Sequence, residues 1–196
     1  MSLLLAVGVD AVGDVRVVPD GDPMPDQVRP ALLVEDWTKV RFADLLARSV
    51  GDPAALDRVA IPGVQDKVSA RMINLPVAQK GRRYFLKLDP PEFPHLVANE
   101  MFFLQAARRS GLETAHAEVV EDGEGALGLL VRRFDRRVDG AGHARALPQE
   151  DACQVLERYP ADKYRVTTEA VVGALAAVCR ARPVAALALI RQVAFA

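Results

Sequence analysis

The residues with the clearest chemical potential are Ile61-Pro62-Gly63-Val64-Gln65-Asp66-Lys67 and, further on, Tyr84-Phe85-Leu86-Lys87-Leu88. Gly63 lets backbone amides approach a phosphate closely, and converging amide donors are what a phosphate needs. Pro62-Gly63 equally fits the two central positions of a type II turn with no ligand involved. In a strand, Phe85 and Lys87 point to the same side. A lysine that shares a side with a core phenylalanine either keeps its head in water at a sheet edge or has a partner. Glu100, which the pattern places in the first turn of the next helix, is the candidate partner; its structural role would be to complement the helix dipole. On the functional reading Lys87 pairs the phosphates of a nucleotide and Glu100 holds it. Turn, strand lysine and helix glutamate are each ordinary alone, and their order is what raises that reading.

Other constellations are weaker. His95, His116 and His143 are dispersed and lack the spacing of a metal site. Glu150-Asp151 reads as a pair that complements a helix dipole rather than as an acid/base pair in a cleft. Arg132, Arg133, Arg136 and Arg137 form a basic cluster around Asp135. It is either a solvated strand end or a contact for a nucleotide or phosphorylated partner. Cys153 and Cys179 lie in apolar helical patterns and read as reduced, buried residues.

The chain is 51% hydrophobic and 26% charged, with a formal net charge of -1. That is globular composition, and it argues against holding nucleic acid through bulk positive charge. No segment reads as a signal peptide or a membrane span, so a cytoplasmic location is expected. Val15–Val18 reads as a strand, residues 19–30 as a loop rich in proline and aspartate, and 36–48 as a helix with Val40, Phe42, Leu45 and Leu46 on one face. Residues 59–61, 68–73, 83–88, 117–120 and 126–134 read as five strands. A helix over Leu96–Arg109 presents Val97, Met101, Leu104 and Ala107 on one face and stops at Gly111. After Asp135-Arg136-Arg137 the pattern is helical to the end, with starts near Pro148, Thr167 and Val184.

At these residues the chain resembles the HipA family of bacterial serine/threonine kinases, the toxin half of a toxin–antitoxin pair. Val59–Lys67 resembles the family's glycine loop, Phe85–Leu88 its ATP-lysine strand, Asn99-Glu100 its following helix and Val131–Arg136 its hinge. Leu147–Gln154 with Asp162-Lys163-Tyr164 is similar to a further family segment. The resemblance implies an α+β fold: a kinase-like small lobe of antiparallel sheet plus one helix, then the first helices of an all-helical lobe. The corresponding divisions are residues 1–50, 51–137 and 138–196.

The resemblance also implies ATP and Mg2+ as cofactors. Ile61, Pro62, Gly63, Val64, Gln65, Lys67, Lys87, Glu100, Arg133 and Phe134 are the implied nucleotide contacts, with Arg133 and Phe134 at adenine. A DNA-binding antitoxin is the implied partner and an aminoacyl-tRNA synthetase the implied protein substrate. No direct binding of nucleic acid and no membrane is expected. The family's catalytic aspartate and metal-binding residues match nothing in these 196 residues, so no catalytic or metal-binding residue is assigned and the chain alone is expected to be inactive. The family's autophosphorylated serine corresponds to Ala60. Two alternatives are a non-catalytic regulatory or partner-binding module, suggested by the apolar helix after Val184, and a remnant of a disrupted gene.

Overall fold

The alternating run Arg82–Leu88 is a strand at the centre of a five-stranded sheet in the computed structural model, which describes residues 13–23, 32–45, 72–138 and 144–196. The described strands are β1 (Leu32–Leu33), β2 (Ile73–Gln79), β3 (Arg82–Leu88), β4 (Ala117–Glu121) and β5 (Leu127–Arg132), ordered β1-β2-β3-β5-β4. All neighbours are antiparallel except β1 and β2, which pair in parallel. Among the described residues one helix, α1 (Leu96–Arg109), packs on one face of this sheet. The fold is therefore α+β with a mostly antiparallel sheet.

Register explains the two faces. Leu86 lies opposite Leu75 and Leu130, and Tyr84 opposite Val77, so these side chains share a face. With Phe42, Leu45 and Leu88 they form one buried cluster. The opposite parity carries Lys87 against Leu129 and Phe85 against Val131. Leu129 and Val131 pack there with Met72, Val97, Met101 and Leu104, so this is the face under α1. The helical spacing of Val97, Met101 and Leu104 is what directs α1 onto it.

The turns follow local chemistry. Lys80 and Gly81, both at positive φ (48° and 74°), join β2 to β3 as a two-residue hairpin whose twist suits the flanking strands. Between β4 and β5, the buried Asp122 carboxylate accepts from the amides of Phe42, Glu124 and Ala126 at 2.7, 2.8 and 2.9 Å. Burial pushes this carboxyl up, but the three amide donors and Arg41 outweigh it and hold it below its usual range. Gly128 is the tight point of the sheet. A Cβ there would lie 2.8 Å from Leu86 Cδ1 and 3.0 Å from both Leu88 Cδ2 and Phe42 Cε2. Gly128→Val should therefore destabilise the protein by about 1–3 kcal/mol through overpacking, read as a lower denaturant midpoint.

The described residues divide into two compact units, one within Met1–Leu104 and Ala115–Gln149, the other Gln105–Thr114 with Glu150–Ala196. The first also holds a short ladder of β6 (Arg136–Val138) against β7 (Ala144–Ala146). In the second, α1 ends at Gly111 (φ 73°). Leu112 donates to Ala107 and Gly111 to Arg108, closing the last turn in the Schellman pattern. Three more helices follow: α2 (Ala152–Val155), α3 (Thr168–Ala177) and α4 (Arg182–Phe195). Asp151 and Gln154 close a reciprocal capping box on α2, and the Thr167 hydroxyl caps α3. Pro183 opens α4, where its missing N–H costs nothing.

Several expectations are corrected. Val15–Val18 is no strand, and residues 36–48 are not one continuous helix: a 3-10 turn at Trp37–Lys39, capped by Asp36, is followed by extended Val40 and a new helical turn at 42–45. Thr38 binds the Asp36 carboxylate through both its amide and its hydroxyl, which fixes that early turn. Of the strand expected at 68–73, Met72 is a bend and only Ile73 belongs to β2, which continues through Pro76 to Gln79, and β6 and β7 interrupt what reads as helix after Arg137. Asp151 caps α2 rather than sitting inside its first turn. Cys153 is buried as expected, whereas Cys179 is exposed. Residues 59–71 and His143 lie outside the described residues.

Candidate functional site

Lys87 and Glu100 meet. The Lys87 ammonium lies 2.6 Å from Glu100 Oε1, and the two side chains are 23% and 31% exposed. Both elements are placed by a residue the sequence reading did not single out. Asp89, two positions after Lys87, accepts from the amide of His95 at 2.8 Å and from that of Val97 at 2.7 Å. These are orphan donors at the start of α1. The end of β3 thus caps the helix that carries Glu100, and a negative charge there also complements the helix dipole. Glu100 itself is the fifth residue of α1 and lies in its second turn, one turn later than expected. Asp89→Ala should cost about 1–2 kcal/mol of stability. It should also loosen Glu100 against Lys87, read as faster amide exchange at 96–100.

The segment after β5 is anchored more firmly than a solvated strand end. Arg133 is buried, and its guanidinium holds Asp135 through two bonds, Nε–Oδ1 at 3.0 Å and Nη2–Oδ2 at 2.8 Å. Asp135 Oδ2 also accepts from Arg136 Nη1 at 2.8 Å and from the Gly13 amide at 3.1 Å. Arg136 Nη1 returns to the Gly13 carbonyl at 2.7 Å. One carboxylate therefore clasps residue 13 to the segment that follows β5. Burial pushes the Asp135 carboxyl up, but the hydrogen bonds and charge of Arg133, with Arg136 and Gly13, hold it below its usual range. The Arg133 guanidinium also stacks over the Phe85 ring, 4.8 Å from its centroid.

Between these buried anchors Phe134 is turned outward, 67% exposed. Its backbone is fixed on both sides, by Arg133 donating to Arg83 at 3.0 Å and Leu147 donating to Asp135 at 2.9 Å. Arg132 and Arg137 are exposed, so within the basic cluster the solvated description fits these two and not Arg133. Phe85, under Arg133, and Lys87 lie two apart on one face of β3.

Of the residues singled out from sequence, Lys87 and Glu100 are brought together, Arg133 is a buried anchor, and Phe134 is an exposed aromatic beside it. Ile61, Pro62, Gly63, Val64, Gln65 and Lys67 lie outside the described residues. His95 and His116 are exposed. Among the described residues no group of three histidine, cysteine, aspartate or glutamate side chains could hold a metal ion, and no helix is long and apolar enough to cross a membrane.

A sheet that presents a lysine to a glutamate on its covering helix, with an exposed aromatic on an anchored segment beyond the sheet, is an arrangement that can grip a phosphorylated ligand. Comparison with known proteins gives the family. The model of the HipA-like C-terminal domain matches residues 59–196, and the chain belongs to that family. A Sinorhizobium fredii protein called "Putative kinase Y4mE" is 32% identical over 174 residues, covering 83% of this chain and 41% of that protein. The serine/threonine-protein kinase toxin HipA of Shewanella oneidensis is 27% identical over 170 residues, covering 83% of this chain and 38% of its own length. In a solved complex of the Shewanella oneidensis toxin–antitoxin system, HipA with HipB and operator DNA, the matched chain superposes with a TM-score of 0.65 at 22% identity. That match covers 98% of this chain and 49% of the other. The chain thus spans less than half the length of these curated relatives.

Proposed function

We propose that these residues are the ATP-gripping part of a HipA-like serine/threonine protein kinase. The observation that carries the reading is the Lys87–Glu100 ion pair at 2.6 Å, on the face of the sheet under α1. In this reading Met1–Gln149 contains the kinase-like small lobe and the helices after Glu150 begin a helical lobe. The sequence division at 51–137 and 138–196 differs from these units, since residues 138–149 group with the first and Gln105–Thr114 with the second.

The described residues fit a nucleotide in part. Lys87 is partly exposed while its charge is held by Glu100, so its remaining donors are available to α- and β-phosphate oxygens. Phe134 offers a ring for adenine, and the anchored backbone of residues 133–135 offers a fixed edge beside it. Ile61, Pro62, Gly63, Val64, Gln65 and Lys67 cover the phosphates in the same reading. ATP supplies the phosphoryl group; Mg2+, which kinases of this kind use, finds no ligand set among the described residues.

The solved complex of HipA with HipB and operator DNA supports a DNA-binding antitoxin as the partner. An aminoacyl-tRNA synthetase as protein substrate and a cytoplasmic location rest on the family resemblance alone. Phosphoryl transfer depends on positioning and charge neutralisation around the γ-phosphate. These 196 residues contain no residue that the family pattern matches to a catalytic aspartate or metal ligand. They should bind nucleotide and transfer nothing. Incubating the purified chain with γ-labelled ATP and a protein acceptor tests this: no incorporation above background is expected, and time-dependent labelling would overturn it.

A second reading, a partner-binding module, is favoured by one observation. Val184, Leu187, Ile190 and Val193 along α4 are each more than half exposed. A monomeric, freely soluble chain in sedimentation analysis would remove its motive.

A further inference from the structure

The ladder of β6 on β7 places Arg137 directly opposite Arg145. Residues directly opposite in an antiparallel pair project from the same face, with Cβ atoms about 4.5–5.5 Å apart, and like charges there are destabilising. Both arginines are exposed. Among the described residues neither meets a carboxylate, whereas Arg133 and Arg136 of the same cluster are committed to Asp135. The ladder is only three residue pairs long, so it has little pairing energy with which to tolerate the repulsion.

We infer that Arg137 and Arg145 form a binding site for a phosphomonoester dianion. Two guanidiniums side by side present planar donor forks that match phosphate oxygens, and a phosphomonoester brings close to two negative charges and three acceptor oxygens. One such group neutralises the pair and turns its repulsion into a bridge. A nucleic acid fits less well. It carries one charge per phosphate and gains affinity by neutralising many of them, while this site supplies two charges on a chain of net charge -1. The site is separate from Lys87 in its residues, and it does not depend on the nucleotide reading. The same chemistry could come from a phosphorylated serine or threonine of a protein or from a free phosphate compound.

The test is NMR detection of the arginine Nε–Hε signals of the whole chain. It is titrated with a phosphoserine peptide, its unphosphorylated twin, inorganic phosphate and a single-stranded oligonucleotide. The phosphopeptide and inorganic phosphate are expected to shift the Arg137 and Arg145 signals, and the twin to leave them in place. Arg137→Gln and Arg145→Gln should each weaken binding at least tenfold. Arg145→Glu should abolish it while leaving the melting temperature unchanged or higher, because it replaces a repulsive pair by an attractive one. A phosphopeptide that binds more tightly than phosphate identifies a protein source; equal binding identifies a free compound. The inference is overturned if the twin binds equally, if neither phosphate probe moves these signals, or if the oligonucleotide binds more tightly than the phosphopeptide. A lower melting temperature for Arg145→Glu would overturn it as well.

Discussion

Replacing Asp135 by alanine should lower the stability of the protein by about 3–5 kcal/mol, the range seen when one partner of a buried ion pair is removed. For a chain of this length that is roughly a 10 °C fall in melting temperature. Asp135 is shared by Arg133, Arg136 and the amide of Gly13, and its side chain and that of Arg133 are 4% and 1% exposed. Removing the carboxylate leaves the Arg133 guanidinium buried without its two charge-assisted bonds and releases the clasp on residue 13. Asp135→Asn should fall between the wild type and the alanine variant, since it keeps an acceptor for Gly13 and loses the charge. The double variant Arg133→Met, Asp135→Leu should recover much of the loss, because apolar side chains of similar volume avoid the desolvation of two ions. The pH dependence has a defined sign. Asp135 and Asp122 are both held below the ordinary carboxylate range. Each therefore stabilises the fold above about pH 4, and that stabilisation is lost as pH falls through the lowered folded value. Asp135→Ala should flatten the acid side of the stability profile.

Lys87→Ala should reduce ATP affinity at least a hundredfold and change stability by no more than about 1 kcal/mol. The two effects separate because the ion pair is part exposed. Pairs of this kind contribute about 0–1 kcal/mol in water, whereas the same ammonium against a bound triphosphate makes charge-assisted bonds to ligand oxygens. Glu100→Gln should give a smaller loss of affinity, since Lys87 remains but is no longer fixed. If Glu100 acts by holding Lys87, the double variant should bind no more weakly than Lys87→Ala alone. Equilibrium titration with a fluorescent nucleotide, with a thermal melt of each variant alongside, measures both quantities.

The elements that were legible in the sequence have long, unambiguous periods. Helix α1 carries its apolar positions at helical spacing, two arginines in the last turn and a glycine stop, and it forms over Leu96–Arg109 as read. Strands β3, β4 and β5 alternate or run apolar between clear turns. The order of Lys87 and Glu100 was legible for the same reason, since a strand parity and a helix position fix where each side chain must go.

What was not legible depends on tertiary partners. Pro76 argues against a strand, yet β1 covers β2 only opposite Val77 and Ala78, so β2 behaves as an edge at Pro76 and tolerates it. The two-residue β1 and three-residue β6 and β7 are too short to show a period. Asp89 caps α1 from outside the helix across a proline-rich connection, so the local spacing of a capping box is absent. From sequence Arg133 reads as part of a solvated strand end or as a contact for a nucleotide or phosphorylated partner, and neither reading buries it. Only the convergence of neighbouring Asp135 with Gly13 and the Phe85 ring, both far away in sequence, makes it an interior residue.

Titrating ATP and adenosine side by side into the 196-residue chain by calorimetry tests the central claim that Lys87, held by Glu100, grips nucleotide phosphates. The account predicts that ATP binds at least a hundredfold more tightly than adenosine and that Lys87→Ala erases the difference. Equal affinity for the two ligands, or an ATP preference that survives Lys87→Ala in a folded protein, would contradict it.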